Sequence, residues 1–326
     1  MSKSKTEEKN SESYQFSDGL VVIVLATYNG ERFLSEQLNS ILDQTYLNWH
    51  IVVSDDGSSD QTQSMLGNFI ERNPGKMTLV KHEGEGGACA NFLYALDKAL
   101  DLTKGEYFAF CDQDDYWEPN KLEVSVAKIR TIENGGKTPA LVFSDAAVVD
   151  SELKITADSF FDYTGVDCMR TKLNELLVQN PISGAGMLFN RALGSIVSHS
   201  TYNESIWMHD QWVGLIAACF GSIAAINEPL FKYRQHESNA MGAIEMSWRL
   251  ILEKARVAKQ SLTRKQGQAL YLLEAYLEEI PQNKKMVLYQ FGFISEKVKL
   301  ARIQTCIKNS FFMNGILRNI GLCIFI

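Results

Sequence analysis

The sequence predicts an α/β fold built on a mostly parallel central sheet. In its first half, short apolar runs rich in β-branched residues, typical of strands buried on both faces, alternate with segments of helical periodicity. Polar clusters follow three of these runs directly. Strands and helices that alternate in this way form parallel sheets flanked by helices, the Rossmann-like arrangement. Such sheets bind ligands at the carboxyl ends of their strands, which is where the polar clusters fall.

The first strand is the continuous apolar run from Leu20 to Ala26, after which Thr27-Tyr28-Asn29-Gly30 turns the chain. Apolar residues at helical spacing from Leu34 to Leu42 predict a helix that packs back on the sheet. Pro119 is expected in the first turn of a later helix, a position that does not need its N–H. The other elements expected up to residue 133 are strands at 50–54, 77–81 and 107–111, a loop at 83–87, and helices at 61–72, 88–102 and 120–133.

The second half of the chain is less regular. We expect a strand at 140–149, a loop at 180–186 that enters an apolar segment at 187–189, a helix from Trp207 to about residue 220, and short strands at 222–226 and 229–233. From about Gly242 the pattern becomes helical and more basic, without a new chemical cluster. We therefore divide the chain into a disordered tail (1–19), a main domain (20–242) and a C-terminal helical appendage (243–326).

Composition bounds the class of protein. With 326 residues, 45% hydrophobic and 22% charged, the chain has an ordinary globular composition. A net charge of −7 argues against a nucleic-acid-binding protein with a broad basic surface. The six cysteines are scattered without a CxxC pair, so we expect buried free thiols. The polar N-terminus lacks the apolar core of a signal peptide, and no apolar run approaches the ~20 residues of a membrane span, so we expect a cytoplasmic protein.

The most informative cluster is Asp112-Gln113-Asp114-Asp115, which directly follows an apolar run. Carboxylates this close repel one another unless a cation neutralises them. Mg²⁺ typically takes one or two carboxylates together with phosphate oxygens, so the cluster predicts a metal held for a diphosphate, with Asp112 and Asp114 as ligands. The alternative is a solvated loop with an Asx turn and a helix cap. Asp115 is expected to cap the next helix or to orient its neighbours.

Other polar residues allow two interpretations each. Asp55 and Asp56 suit a turn, but a carboxylate there could also accept a hydrogen bond from a base or a ribose hydroxyl. Gly184-Ala185-Gly186 is either a permissive loop or a place where backbone closely approaches a sugar or phosphate. Asp210 is either a first-turn acid of a helix or a general base, and the local sequence favours the former. His236 is a surface residue or a metal ligand, whereas His50, His82 and His199 are expected to be structural.

Three motifs taken together resemble those of family 2 glycosyltransferases, whose fold is called GT-A. They are Val22 to Gly30, then Ser54 to Asp60, then Cys111 to Trp117, and the resemblance covers roughly Leu20 to Gly242. The later segments are similar to the bacterial rhamnosyltransferase-type subgroup. They are Phe143-Ser144-Asp145, Asn180 to Gly184, Met208 to Trp212 and Tyr233 to His236.

The resemblance implies roles for individual residues. Asp112 and Asp114 match the family's D-x-D, which binds the diphosphate through Mg²⁺ or Mn²⁺, and His236 matches a histidine that completes the metal shell. Asp210 matches the general base, which reverses the local interpretation; the family often has Glu before this base, and here it is His209. Donor binding is implied for the following residues: Ala26, Thr27, Tyr28, Asn29, Asp55, Asp56, Gln113, Gly184, Ala185 and Gly186.

The hypothesis that follows is an inverting, metal-dependent glycosyltransferase that uses dTDP-rhamnose to extend a cell-surface polysaccharide on a glycan or lipid-linked glycan acceptor. The alternatives are another donor, such as a UDP-hexose or UDP-N-acetylhexosamine, and a non-catalytic sugar-binding or scaffolding protein. The apolar tail 311–326 and the basic charge on the preceding helices have two interpretations of equal weight. One is a helical appendage packed on the main domain or on a homodimer partner, and the other is a peripheral contact with the inner face of the plasma membrane.

Overall fold

A computed structural model describes residues 19–82, 87–200, 202–236 and 250–325. The predicted disordered tail, most of the predicted loop at 83–87 and the boundary at Gly242 lie outside these residues. Within them, none of the helices is both long enough and apolar enough to cross a membrane.

One half of the central sheet is parallel, as predicted. Its strands are β1 (Val21–Thr27), β2 (Trp49–Asp55), β3 (Met77–Lys81) and β4 (Tyr107–Cys111), in the spatial order β3-β2-β1-β4. Every residue of β1, β2 and β4 is buried, which explains why their sequences are mostly apolar rather than alternating. The parallel register brings the last residues of β1 and β2 side by side, so that the polar segments after them meet at one edge.

Four helices flank this half. They are α1 (Leu34–Leu42), α2 (Thr62–Arg72), α3 (Gly87–Leu102) and α4 (Lys121–Arg130), each close to its predicted position. Pro119 was expected in the first turn of α4, and this expectation was wrong. Asn120 is the N-cap of α4, so Pro119 precedes the helix. Its carbonyl oxygen instead accepts a hydrogen bond from the backbone N–H of Thr45, which follows α1.

The other half of the sheet is mixed. Its strands are β5 (Tyr116–Trp117), β6 (Ala140–Val149), β7 (Ile155–Ala157), β8 (Met187–Asn190) and β9 (Ser222–Arg234). The order continues β4-β8-β6-β9-β5, with β7 on β6, and β8 is antiparallel to both of its neighbours. The sequence predicted two short strands where β9 is one, because the β6–β9 register is irregular where Ile226 and Pro229 face consecutive residues of β6.

Helices also fill the second half. Three were not predicted: α5 (Phe160–Thr164), α6 (Leu173–Leu176) and α7 (Arg191–His199). Helix α8 (His209–Phe220) was predicted, but it begins at His209 rather than at Trp207. This start places Asp210 in the first helical turn.

The C-terminal region consists of α9 (Leu250–Ala275), α10 (Gln282–Gly292), a short 3₁₀ turn, α11 (Lys299–Asn309) and α12 (Ile316–Phe325). Buried residues of α9 and α10, among them Leu272 and Phe291, lie in the same hydrophobic core as Val22 of β1 and Phe108 of β4. The C-terminal helices are therefore packed on the main domain.

Candidate active site

Two strand ends form one side of the site. Thr27 Oγ1 donates a hydrogen bond to Asp55 Oδ2 at 2.8 Å, which joins the ends of β1 and β2. Asp55 is buried, and its Oδ1 accepts hydrogen bonds from the Ser58 N–H and from Gln63 Nε2, both at 2.9 Å. Asp55 therefore stabilises the turn after β2 and is not among the residues that line the cavity described below.

The loop after β1 is fixed to the loop after β4. The Tyr28 N–H donates to Gln113 Oε1 at 3.0 Å, and Gln113 Nε2 donates back to the Tyr28 carbonyl at 2.9 Å. A Cβ at Gly30 would lie 2.2 Å from Gln113 Oε1, so a side chain there would break this pairing. Asn29 has a φ of 47° and accepts a hydrogen bond from the Ser59 N–H, so it belongs to the turn and also does not line the cavity.

Asp56 does line the cavity. Its backbone N–H donates to the Thr27 carbonyl at 2.9 Å, and its Oδ1 lies 2.7 Å from His82 Nδ1. His82, which was expected to be structural, orients this cavity carboxylate. No local signal in the sequence indicates this contact, which joins residues 26 positions apart.

The carboxylates after β4 crowd together. Burial, followed by the charges of Asp114 and Asp210, raises the pKa of Asp112 to about 7. Burial, followed by the charges of Asp114 and Asp112, raises the pKa of Asp115 well above its usual range. Because the fold holds like charges this close, the cluster favours a bound cation.

Asp115 does not cap the next helix, since Asn120 holds that position. It is buried and accepts a hydrogen bond from the backbone N–H of Arg234 at 3.1 Å. Of the two roles expected for Asp115, capping a helix and orienting its neighbours, these contacts support the second.

Arg234, at the end of β9, holds this acidic loop from the other side. Its Nε donates to the Asp114 carbonyl at 2.7 Å, its Nη1 donates to the Ser151 carbonyl at 2.6 Å, and its Nη2 pairs with Glu36. Sequence reasoning missed this residue, which is 1% exposed, because its partners come from three distant segments. The adjacent His236 lies with its Nε2 2.8 Å from Asp114 Oδ2.

The donor set fits a hard divalent cation. In the part of the chain that the structure describes, no three or more His, Cys, Asp or Glu side chains form a complete metal site. Asp112 and Asp114 nevertheless supply two carboxylates, and the imidazole of His236 lies beside Asp114. Such a set suits Mg²⁺ or Mn²⁺ when phosphate oxygens and water supply the other ligands.

The opposite wall carries Asp210. Its carboxylate accepts a hydrogen bond from the Gln211 N–H in the first turn of α8, and burial raises its pKa to about 6. The preceding His209 is 3% exposed, and its ring stacks on Phe92 with the centroids 4.0 Å apart. Burial lowers the pKa of His209 to about 3, so it is a neutral residue and does not act as a second acid there.

The glycine loop contributes one residue to the cavity. A Cβ at Gly184 would lie 2.6 Å from His209 Nε2, so glycine is needed for this close approach. Ala185 is 1% exposed, and a Cβ at Gly186 would lie 2.9 Å from the Ser144 carbonyl oxygen. These two residues pack against the sheet and are not among the residues that line the cavity.

A single cavity of about 1220 Å³ joins these parts. Its lining includes the following predicted site residues: Ala26, Thr27, Tyr28, Asp56, Asp112, Gln113, Asp114, Gly184 and Asp210. It is larger than the roughly 300–1,000 Å³ of a typical small-ligand site, so it has room for two ligands. Three residues of the C-terminal region also line it, and the sequence analysis singled out none of them for the site: Lys265 of α9, Met313, and Arg318 of α12.

Comparison with known proteins identifies relatives. The model of the family described as "Glycosyl transferase family 2" matches residues 22–184 of this chain. The chain is 30% identical over 175 residues to the Escherichia coli UDP-Glc:alpha-D-GlcNAc-diphosphoundecaprenol beta-1,3-glucosyltransferase WfgD, a match that covers 51% of this chain and 64% of that protein, less than two thirds of its length. It is 29% identical over 226 residues to the Shigella flexneri dTDP-rhamnosyl transferase RfbG, covering 67% and 74% of the two chains.

Solved structures support the fold. The chain is similar to S. aureus TarS 1-349 in complex with UDP-GlcNAc, with a TM-score of 0.55, 18% identity and 89% of each chain covered. It is also similar to the Pyrobaculum calidifontis mannosyltransferase PcManGT in complex with GDP-Man and Mn²⁺, with a TM-score of 0.54, 19% identity, and 89% and 72% of the chains covered. At these identities the likeness establishes the α/β architecture alone, and it confirms the predicted GT-A fold.

Proposed function

The chain belongs to glycosyl transferase family 2, and from that premise we propose that it is an inverting, metal-dependent enzyme that transfers rhamnose from dTDP-rhamnose to a hydroxyl of a growing cell-surface polysaccharide. One observation carries the proposal. The paired carboxylates Asp112 and Asp114 and the separate carboxylate Asp210 line the same cavity, close enough that Asp210 raises the pKa of Asp112. An inverting transferase needs these two functions, one for the leaving diphosphate and one for the acceptor.

The nucleotide would occupy the end of the cavity formed by β1 and β2. Ala26, Thr27 and Tyr28 offer backbone and ring surface there, and Asp56, held by His82, offers a carboxylate oxygen to a base edge or a ribose hydroxyl. The pairing of Tyr28 with Gln113 fixes this end relative to the acidic cluster. The distance between nucleotide and diphosphate sites is thereby set by the protein before ligand binds.

Asp112 and Asp114, with His236, would hold Mg²⁺ or Mn²⁺. When bound, such an ion supplies positive charge that offsets the negative charge developing on the leaving nucleoside diphosphate. Arg234 keeps the loop that carries these carboxylates in place through the Asp114 carbonyl and the Asp115 side chain. Its role is to position these ligands.

Asp210 would act as the general base. It accepts the proton of the acceptor hydroxyl while that oxygen forms a bond to the anomeric carbon, and the bond from that carbon to the diphosphate oxygen breaks with its electron pair going to the diphosphate. A single displacement of this kind inverts the anomeric configuration. A pKa of about 6 leaves Asp210 ionised at neutral pH and more basic than an ordinary aspartate, which suits this role.

The relatives support two donors. RfbG, named as a dTDP-rhamnosyl transferase, matches over the longer stretch and supports dTDP-rhamnose. WfgD, named as a glucosyltransferase that uses UDP-Glc, supports the alternative of a UDP-hexose donor. A UDP-N-acetylhexosamine is the other alternative.

A donor panel tests the proposal. The protein is incubated with dTDP-rhamnose, UDP-glucose, UDP-galactose or UDP-N-acetylglucosamine, with Mn²⁺ or with EDTA, and release of nucleoside diphosphate is measured. We expect release from dTDP-rhamnose that depends on Mn²⁺. Release from a UDP-sugar instead would support the alternative donor, and no release from any donor would favour a sugar-binding or scaffolding protein.

We further propose that α12 makes a peripheral contact with anionic lipid at the inner face of the plasma membrane. Ile316, Leu317 and Ile320 of α12 are 81%, 82% and 53% exposed, next to Arg318 at the cavity. Apolar side chains beside a cation are typical of interfacial helices.

Partition into vesicles that contain anionic lipid tests this contact. Replacing Ile316, Leu317 and Ile320 together by serine should reduce the bound fraction. Replacing Leu102 and Ile155, which are also exposed but lie elsewhere, is the matched control and should not. Unchanged partition of the α12 variant would contradict the membrane contact.

A further inference from the structure

Two cations from the C-terminal helices line the cavity, in addition to Arg234, which is paired with Glu36. The carboxylates of Asp56, Asp112, Asp114 and Asp210 line its other walls, whereas Lys265 and Arg318 line the part formed by α9 and α12. The transfer reaction proposed above assigns no role to Lys265 or Arg318, so this separation of charge within one cavity calls for an explanation.

Among the residues that the structure describes, both cations have backbone carbonyl groups as their hydrogen-bond partners. Lys265 Nζ donates to the Val178 carbonyl at 2.7 Å, and Arg318 donates to the carbonyls of Thr164 and Gly165. Over the described ranges, no carboxylate lies within ion-pair distance of Lys265 or Arg318. Burial lowers the pKa of Lys265 to about 8, because it disfavours the charged ammonium.

The two cations are attached to the same stretch of wall. Lys265 binds the carbonyl of Val178, and the next residue, Gln179, accepts a hydrogen bond from the N–H of Asn314, just before α12, at 2.6 Å. Arg318 lies one turn further along, and its Nη1 also reaches the Asn314 carbonyl. The strand-end side of the cavity is thus acidic, and the 178–179 side is basic.

We propose that Lys265 and Arg318 form an anion subsite that binds a phosphate or diphosphate group of the acceptor. This inference rests on the proposed function, since it assigns the two ends of the cavity to donor and acceptor. The donor diphosphate is assigned to Asp112 and Asp114, whereas Lys265 and Arg318 line the part of the cavity next to Val178 and Gln179. The basic subsite is therefore available to a second anion.

The subsite makes a prediction about substrate class. The accepting sugar must reach Asp210, while a phosphate attached to the same molecule reaches Lys265 and Arg318. The acceptor would then be a glycosyl phosphate or diphosphate rather than a neutral glycan. A lipid headgroup offers the same phosphate chemistry, and the experiment must separate the two sources.

Binding of a soluble probe, hexyl diphosphate, tests the subsite without requiring catalysis. Calorimetry in EDTA excludes binding through a divalent ion at Asp112 and Asp114. We expect the wild type to bind, and Lys265→Met and Arg318→Gln each to bind at least about tenfold more weakly, because each removes a charged hydrogen bond. Arg264→Met is the matched control, since Arg264 is an exposed neighbour on α9 that does not line the cavity.

Several outcomes would overturn the proposal. They are absence of binding by the wild type, equal binding by all variants, and an equal loss in Arg264→Met. If Lys265→Met does not fold, Arg318→Gln still decides, since Arg318 is exposed. Because the probe experiment involves no donor, it stands even if the panel detects no transfer.

Two further arms identify the source of the phosphate. With an active donor, the wild type should transfer to a hexyl-diphosphate-linked sugar in preference to the same sugar as a neutral hexyl glycoside. This preference should fall about tenfold in Lys265→Met and in Arg318→Gln. Binding to phosphatidylglycerol vesicles should fall much less. The opposite pattern, with vesicle binding lost and acceptor preference kept, would mean a lipid-headgroup site and would overturn the acceptor subsite.

Discussion

Replacing Asp210 by asparagine should abolish transfer and stabilise the fold at the same time. In the folded protein, burial raises the pKa of this carboxyl from 3.8 to about 6. At about 1.4 kcal/mol for each tenfold change in proton affinity, the ionised form is disfavoured by about 3 kcal/mol at neutral pH. Asparagine keeps an acceptor for the Gln211 N–H and removes the charge, so the free energy of unfolding should rise by about 2 kcal/mol and Tm by roughly 2–5 °C.

The sign of the pH dependence follows from the raised pKa. The penalty for the ionised carboxylate is fully present above about pH 6, and it disappears as pH falls toward 3.8, where both folded and unfolded forms are protonated. The gain in Tm should therefore be large at pH 7.5 and nearly absent at pH 4. Differential scanning calorimetry in EDTA measures it, with Asp101→Asn, an exposed aspartate of α3, as the control expected to change stability by less than about 0.5 kcal/mol.

The same variant separates the two interpretations of Asp210. If the residue were only a first-turn acid, its loss would cost about 1 kcal/mol and leave transfer intact. If it is the base, transfer should fall at least about 100-fold. A variant that keeps wild-type turnover, or whose Tm falls, would refute this reasoning.

Three further predictions concern the supporting geometry. Arg234→Met should lower the free energy of unfolding, measured by urea titration, by about 3 kcal/mol, because it leaves a buried network unpaired. The same variant should weaken Mn²⁺ binding, and Arg264→Met should do neither. Gly30→Ala should raise the donor Kd, since its Cβ would displace Gln113, whereas Gly67→Ala, whose Cβ would meet nothing, should stabilise α2 by about 1 kcal/mol. The transfer rate at saturating metal should fall below about pH 6 as Asp210 is protonated, and a flat profile down to pH 5 would contradict its role.

The first half of the fold was predictable because it is locally encoded. Strands β1, β2 and β4 are buried on both faces, so each contains an unbroken apolar run, and polar residues follow that run directly. The second half was less predictable because its short elements depend on tertiary contacts. Strand β5 has two residues and exists only through its pairing with β9.

The candidate site was predictable where chemistry is concentrated in sequence and not where it depends on distant contacts. Asp112 and Asp114 stand out because adjacent carboxylates after a strand have few structural uses. Whether Asp55 or Asp56 faces the cavity could not be decided locally, because the choice depends on Thr27 and His82 in other strands and loops. Lys265 is one of several cations on the basic helix α9. Its position at the cavity results from the packing of α9.

The central claim is that Asp112 and Asp114 hold the donor while Asp210 serves the acceptor. Calorimetric titration of the nucleotide sugar selected by the donor panel, with and without Mn²⁺, tests it most directly in wild type, Asp114→Asn and Asp210→Asn. We expect Mn²⁺-dependent binding to be lost in Asp114→Asn and kept within about threefold in Asp210→Asn, since only the first would remove a metal ligand. Equal loss of donor binding in both variants, or undiminished binding in Asp114→Asn, would contradict the account.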